Sequence, residues 1–310
     1  MTATRPAPAV QPPSAPRPQP LLVVAIRALR PRQWVKNLLV VGAPLAAGKL
    51  LEVSVLRSTS LAFLAFCLAA SCGYLVNDVH DAAEDRLHPV KRHRPVASGA
   101  LPVPAALTLA VVLGIASLAT AAACSTMFVV LLVAYLGVTL GYTLRLRREP
   151  IVDLVVVALG FVLRGAAGGV ASGIVISPWF LLVAGFGALF LVSCKRYSEL
   201  VSREPGTGGR AALATYTPEF LRFVWSLAAT VTLVAYLLWA TAVFVIRDEG
   251  SWAMWSVVPF LLGVLRYAFE IDRGAAEAPE AVLLGNRSLQ LLALAWLVMV
   301  AVGAEGALLS

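Results

Sequence analysis

Residues 58–86 read STSLAFLAFCLAASCGYLVNDVHDAAEDR. From Ser58 to Val76 no side chain carries a charge, and then Asn77, Asp78, Asp81, Glu84 and Asp85 follow in quick succession. Coiled as a helix, an uncharged run of this length crosses the hydrocarbon layer of a bilayer, about 30 Å thick. The acidic group then lies where that helix emerges. Similar apolar runs recur, and the sequence predicts nine helical spans, near 36–54, 58–77, 103–122, 126–143, 151–170, 177–194, 219–245, 252–269 and 288–308. Alternating β-barrel patterning is absent, so helices are the remaining way to satisfy the backbone in lipid. The first of these spans is interrupted by Pro44 and Lys49.

Composition agrees with that opening stretch. Hydrophobic residues make up 59% of the 310 residues, charged residues only 14%, and mean hydropathy is +0.83. Soluble domains are about 45–50% apolar even with glycine included, and about 25% charged. A soluble fold could not cover so much apolar surface. Disorder, a collagen-like fibre, a disulfide-stapled secreted domain and a DNA-binding domain are excluded on the same ground, so nucleic acid is not an expected partner. Membrane lipid is. Residues 1–20, rich in Pro, Ala and Arg, read as a disordered tail, and 21–310 as one all-helical membrane domain. The four cysteines lie in apolar stretches without metal-ligand spacing and read as buried thiols.

The net charge of +8 is unevenly placed. Basic residues number six up to Lys36, four in 77–101, three in 144–150, four in 195–218 and three in 266–287. The opposite loops hold only Lys49, Arg57 and Arg247. By the positive-inside rule the tail and long loops are cytoplasmic and the C-terminus is outside, in a plasma-membrane protein with its charged mouth on the cytoplasmic side.

On a helix Asn77, Asp81 and Asp85 recur every fourth residue, and Asp78 lies three before Asp81, so their oxygens share a face. Like charges so placed repel, and a divalent cation offsets them. An all-oxygen set with no Cys and no His on the stripe suits Mg²⁺, with Mn²⁺ as the second choice. His80 and Glu84 fall beside the stripe. Lys91, Arg92, His93 and Arg94 follow at once. Carboxylates for a metal followed by a basic cluster are what a metal-bound polyphosphate requires. Arg164 lies inside a span and should face the bundle interior. Gly165, Gly169 and Gly173 have the spacing of close helix packing.

These residues resemble a known family. NDxxDxxxD, here Asn77, Asp78, Asp81 and Asp85, is similar to the first Asp-rich motif of the UbiA-type intramembrane prenyltransferases. RPRQWVKN (30–37), NDVHDAAEDRLHPVKRHRP (77–95), RGAAGGVASG (164–173) and CKRYSEL (194–200) resemble the actinobacterial branch whose members act on decaprenyl phosphate. That resemblance implies a UbiA-type helical bundle and a Mg-dependent glycosyltransferase. The reaction implied is transfer of 5-phosphoribosyl from phosphoribosyl pyrophosphate to decaprenyl phosphate. Its products are pyrophosphate and decaprenylphosphoryl-5-phosphoribose, the latter for cell-wall arabinan synthesis. Asp78, Asp81 and Asp85 are then the catalytic, metal-holding residues with Asn77 assisting. The substrate-binding set is Lys36, Asn37, Asn77, Arg86, Lys91, Arg94, Arg147, Lys195, Arg196 and Tyr197.

One departure matters. Where the superfamily carries a second Asp-rich motif, this chain has Lys195 and Arg196, cations able to hold phosphates as a point charge and a bidentate fork. This fits a donor with a pyrophosphate and a separate 5-phosphate. An aromatic prenyltransferase making a quinone or haem precursor would need both carboxylate motifs. A non-catalytic lipid carrier also stays open, although the acidic stripe has no obvious transport role. Homo-oligomer formation stays open.

The charge split yields a direct test of orientation. In a background without the native cysteines, Val90→Cys should be shielded from impermeant thiol reagents in intact cells and Glu249→Cys should be labelled. The reverse pattern would place the acidic mouth outside the cell.

Overall fold

The computed structural model describes residues 20–201, 215–247, 251–273, 282–283 and 285–309. The tail expected over residues 1–20 lies outside these but for Pro20. Among the described residues every regular element is helical. A short helix, α1 (Leu21–Leu29), leads into a 3-10 stretch, Pro31–Val41, and a single turn of helix, α2 (Gly42–Ala46). The long helix α3 (Val53–His80) is followed by α4 (Ala82–Leu87), α5 (Val103–Ala122), α6 (Thr126–Leu144) and α7 (Val152–Ser172). After them come α8 (Pro178–Val201), α9 (Pro218–Arg247), α10 (Ser251–Trp255), α11 (Val257–Asp272) and α12 (Arg287–Leu309).

Seven of these helices are long and apolar enough to cross a membrane, counting Trp252–Asp272 as one. The nine expected spans are not reached on that measure. The described apolar part of α12 is shorter, Arg287–Val302. The expected first span over 36–54 does not form as one helix. It is a 3-10 stretch and a single turn ending at Gly48, whose φ of 71° only glycine adopts cheaply. Pro44 sits within it and has no N–H to give to a continuing helix.

Polar contacts help hold this broken segment in the bundle. Arg164, buried within α7, donates from Nε to Asn37 Oδ1 at 2.9 Å, from one terminal nitrogen to the Gly160 carbonyl at 3.0 Å and from the other to Tyr135 Oη at 2.6 Å. Its guanidinium also lies over the Tyr135 ring, 4.8 Å from the centroid. A cation in the apolar interior is thereby satisfied by neutral acceptors and a ring face, as the interior position of Arg164 requires.

The helix α7 joins two apolar cores. Ala167 and Ala171 near its end pack with Val40, Phe66, Phe128, Leu132 and Tyr135, while Leu154 near its start packs with Phe190, Tyr197, Tyr216, Leu221 and Tyr267. The outward faces of α5 and α6 leave Val111, Ile115, Met127 and Val130 exposed, as lipid-facing surfaces do. No disulfide links the four cysteines, and all but Cys124 are buried.

Small residues decide how closely the broken segment approaches α7. Gly165 and Gly169 both sit in packing contacts, whereas Gly173 ends α7 with φ +69° and has open space about it. The tightest position is Gly168, where an added Cβ would lie 1.9 Å from the Val40 carbonyl oxygen. Gly168→Ala should therefore destabilise by about 1–3 kcal/mol or more, as overpacking does. Thermal unfolding of the detergent-purified protein checks this against Gly137→Ala, whose Cβ meets nothing within 4 Å.

Candidate active site

The acidic stripe forms as the sequence predicts, with a break in the middle. The helix α3 ends at His80, Asp81 caps it with its N–H on the Asn77 carbonyl at 2.9 Å, and α4 resumes at Ala82. Asp85 N–H donates to the Asp81 carbonyl at 2.8 Å, which keeps one helical line through the break. The stripe therefore stays on one face: Asn77 Nδ2 donates to Asp81 Oδ2 at 3.1 Å. His80 and Glu84 are exposed beside it.

Three arginines from three separate segments neutralise the three carboxylates. Arg94, from the loop after α4, donates to Asp85 Oδ2 at 2.7 Å and reaches Asp78 Oδ1 at 3.4 Å, bridging the two. Arg147, from a single 3-10 turn between α6 and α7, donates to both oxygens of Asp81, at 2.7 and 2.9 Å. Arg30, at the junction of α1 and the 3-10 stretch, pairs with Asp78 and lies over the Tyr74 ring. Arg30 holds a left-handed backbone conformation, φ 55°. That turn brings a residue from the start of the domain onto the end of α3. Sequence reasoning quoted Arg30 in a motif without assigning it a role, because nothing local signals a contact 48 residues away.

Asp78 and Asp85 are buried, and Asp78 Oδ2 has no hydrogen-bond partner. A buried, unpartnered carboxylate oxygen among hard-oxygen neighbours is the atom a divalent cation would take. The donor chemistry thus fits Mg²⁺ or Mn²⁺. A preassembled cage does not exist: among the described residues no three or more His, Cys, Asp or Glu side chains gather as a metal site. The guanidiniums are the present counter-charge, and they hold the carboxylates in pairs with themselves.

A second cluster lies where α6, α7 and α8 meet. Arg196 donates from Nε to Asp153 Oδ2 at 2.7 Å and from a terminal nitrogen to Oδ1 at 3.1 Å. Tyr142 donates to Asp153 Oδ1 at 2.7 Å, and Glu199 accepts from Arg196 at 2.9 Å. Arg196 and Asp153 are both buried. The bidentate fork expected to grip donor phosphates is thus committed to Asp153, a correction to the sequence reading. Removing one partner of such a pair costs about 3–5 kcal/mol. Lys195, one residue earlier, is partly exposed.

Other expected residues divide the same way. Asn37 is buried, its Oδ1 accepting from Arg164 and its Nδ2 donating to Cys67 Sγ, so it serves the bundle interior rather than an open site. Tyr197 is buried, and its hydroxyl accepts from Arg222 at 2.7 Å, which also pairs with Asp272. Arg86 donates to the Ala97 carbonyl at 3.2 Å and braces the loop that carries Arg94. Lys91 is exposed on that loop, and Lys36 is partly buried in the 3-10 stretch. The structure brings together Asn77, Asp78, Asp81, Asp85, Arg94 and Arg147 directly. Arg203 and Arg210 lie outside the described residues.

The family model described as the UbiA prenyltransferase family matches residues 38–294. The decaprenyl-phosphate phosphoribosyltransferase of Mycobacterium tuberculosis is 47% identical over 290 residues, covering 91% of this chain and 95% of the relative. The protein of the same name from Corynebacterium glutamicum is 46% identical, covering 87% of this chain and 83% of the relative. Among solved structures, a UbiA homolog from Archaeoglobus fulgidus bound to GPP and Mg²⁺ superposes with a TM-score of 0.68 at 21% identity, covering 90% of this chain and 98% of that one. The same homolog bound to Cd²⁺ gives 0.66 at 20% identity, covering 91% and 98%. With a family match over most of its length and relatives at this identity over nearly all of it, the chain belongs to the UbiA prenyltransferase family.

Proposed function

We propose that this membrane enzyme transfers 5-phosphoribosyl from phosphoribosyl pyrophosphate to decaprenyl phosphate, releasing pyrophosphate. The observation that carries this reading is the joined pattern at one end of the bundle. An acidic stripe is set among Arg30, Arg94 and Arg147, while the α8 end carries Lys195 and Arg196 where a second Asp-rich motif would stand, with Lys195 partly exposed and Arg196 buried against Asp153 and Glu199. The near full-length likeness to relatives of that activity supports it. A quinone-type aromatic prenyltransferase would need acidic groups at the α8 end. The charge split favours a cytoplasmic mouth in the plasma membrane, where a soluble polyphosphate meets a lipid acceptor. The product would serve cell-wall arabinan synthesis.

The chemistry follows from the residues. Asp78, Asp81 and Asp85, with Asn77, would hold Mg²⁺, and when bound the ion supplies counter-charge to the departing pyrophosphate. Arg94 and Arg147, paired to the stripe before donor arrives, can exchange carboxylate for phosphate oxygens at little electrostatic cost, since both partners are anionic. Arg30 has the same option through Asp78. Lys91 and Lys36 supply further positive charge near the loops, and Lys195 acts at the α8 end. Arg196 contributes through Asp153, by fixing the end of α8 on which Lys195 sits. The acceptor phosphate is already anionic at neutral pH and needs no general base. The site therefore binds, orients and neutralises.

Asp81→Ala should lower transfer by orders of magnitude while the protein stays monodisperse in detergent, and EDTA should abolish activity until Mg²⁺ is restored. Product mass spectrometry with phosphoribosyl pyrophosphate and polyprenyl phosphate reads both outcomes. Full turnover in EDTA would remove the metal from the scheme, and prenylation of an aromatic acceptor would favour the rival reaction. Lys195→Ala should raise the donor KM, lowering kcat/KM roughly 10- to 150-fold for one charge-assisted contact worth about 1.5–3 kcal/mol. Kinetics at the wild-type level would shift the donor phosphates to the Lys91 and Arg94 loop.

A further inference from the structure

The segment between the two charged clusters contains a strained turn. Ile151 has φ 65° and ψ −50°, and the Val152 N–H donates to the Pro150 carbonyl at 2.7 Å. Together these define a γ-turn in its rare, positive-φ form, centred on a β-branched residue that disfavours it. The Ile151 side chain does not explain the strain, because it is 56% exposed. The backbone does: Ile151 N–H donates to Tyr216 Oη at 2.7 Å. Tyr216 lies two residues before α9, is buried in the core around α8 and stacks on Phe220 with ring centroids 5.8 Å apart. Burial pushes its phenol pKa up, so it stays a neutral hydroxyl able to accept from the amide.

The turn sits between two functional contacts. Four residues before it, Arg147 grips both oxygens of Asp81. Two residues after it, Asp153 grips Arg196. The intervening chain is wound tightly, with Glu149 N–H on the Leu146 carbonyl at 3.2 Å and Asp153 N–H on the Glu149 carbonyl at 3.0 Å. A change of backbone at Ile151 therefore moves Arg147 relative to Asp153. Strain maintained by surrounding structure is commonly found at functional sites.

We infer that Tyr216 is a positioning residue for the donor site: by accepting the Ile151 N–H it holds the γ-turn that sets Arg147 on Asp81 against Asp153 on Arg196. The donor part of this inference rests on the phosphoribosyl-transfer reading. The Tyr216 hydroxyl touches no reacting atom and acts through the loop.

Two variants of the full-length, detergent-purified protein test it: Tyr216→Phe, which keeps the ring and removes the acceptor, and the same change combined with Ile151→Gly. Glycine adopts positive φ without support, so the double variant should regain the turn. Two readouts are taken, tryptic nicking after Arg145, Arg147 and Arg148, and the kinetics of phosphoribosyl pyrophosphate. Tyr216→Phe should nick faster and show a donor KM raised roughly 3- to 10-fold, the range for one neutral hydrogen bond, with kcat changed less. Both values should return toward wild type in the double variant. Wild-type nicking and KM in Tyr216→Phe, faster nicking with unchanged KM, or no recovery with Ile151→Gly would each overturn the inference. If the wild-type protein itself transfers nothing from phosphoribosyl pyrophosphate, the functional reading fails, while nicking still decides whether Tyr216 holds the turn.

Discussion

Three carboxylates on one stripe at the end of a membrane-spanning helix have to be neutralised, and much of the architecture follows from how that is done. Asp78 and Asp85 are buried, so water cannot screen them from one another. Arg94 bridges the pair, Arg30 takes Asp78 as well, and Arg147 takes Asp81. Each arginine comes from a different segment: the junction after α1, the loop after α4 and the connection between α6 and α7. The electrostatic demand of one short motif thus pins three otherwise separate connections to the same end of the bundle. On the proposed reading, the same pairs would keep arginines available for phosphate next to the carboxylates, because a guanidinium that can hold a carboxylate can hold a phosphate oxygen in the same geometry.

A second buried cation shapes the opposite problem. Arg164 has no carboxylate partner among the described residues and is satisfied by Asn37, Tyr135 and the Gly160 carbonyl. Its demand for acceptors draws the 3-10 stretch Pro31–Val41 against α7. Gly168 permits the approach, because the Val40 carbonyl occupies the space a Cβ would need. A polar tether inside the apolar layer and a missing side chain act together there. The consequence reaches the site, since Arg30 and Lys36 flank or belong to the same stretch.

The cluster around Arg196 shows how the same residue types take on a different task once they are buried. Arg196 and Lys195 are neighbours in sequence and equally suited to phosphate. Helical geometry turns one inward to Asp153 and leaves the other partly exposed. The buried arginine then fixes the start of α7 to the end of α8. The tightly wound connection carrying Arg147 runs between this lock and the acidic stripe, and its strained turn at Ile151 is held by the Tyr216 hydroxyl.

That the chain is an integral membrane protein, its helical class and the shared face of the acidic stripe were all legible in the amino-acid order. Each depends on local periodicity or on run length, and Asn77, Asp78, Asp81 and Asp85 share a face whatever they pack against. The spans near 103–122 and 126–143 emerge almost at their expected bounds for the same reason. The first span takes a different course, because the contacts of Asn37 with Arg164, 127 positions away, and of Val40 with Gly168 decide it. The roles of Asn37, Tyr197 and Arg196 were likewise set by partners on other helices, Arg164, Arg222 and Asp153. Sequence alone fixes which groups carry charge and which face of their own helix they occupy. Which charge meets which depends on contacts between segments far apart in the chain, and only the tertiary structure decides that.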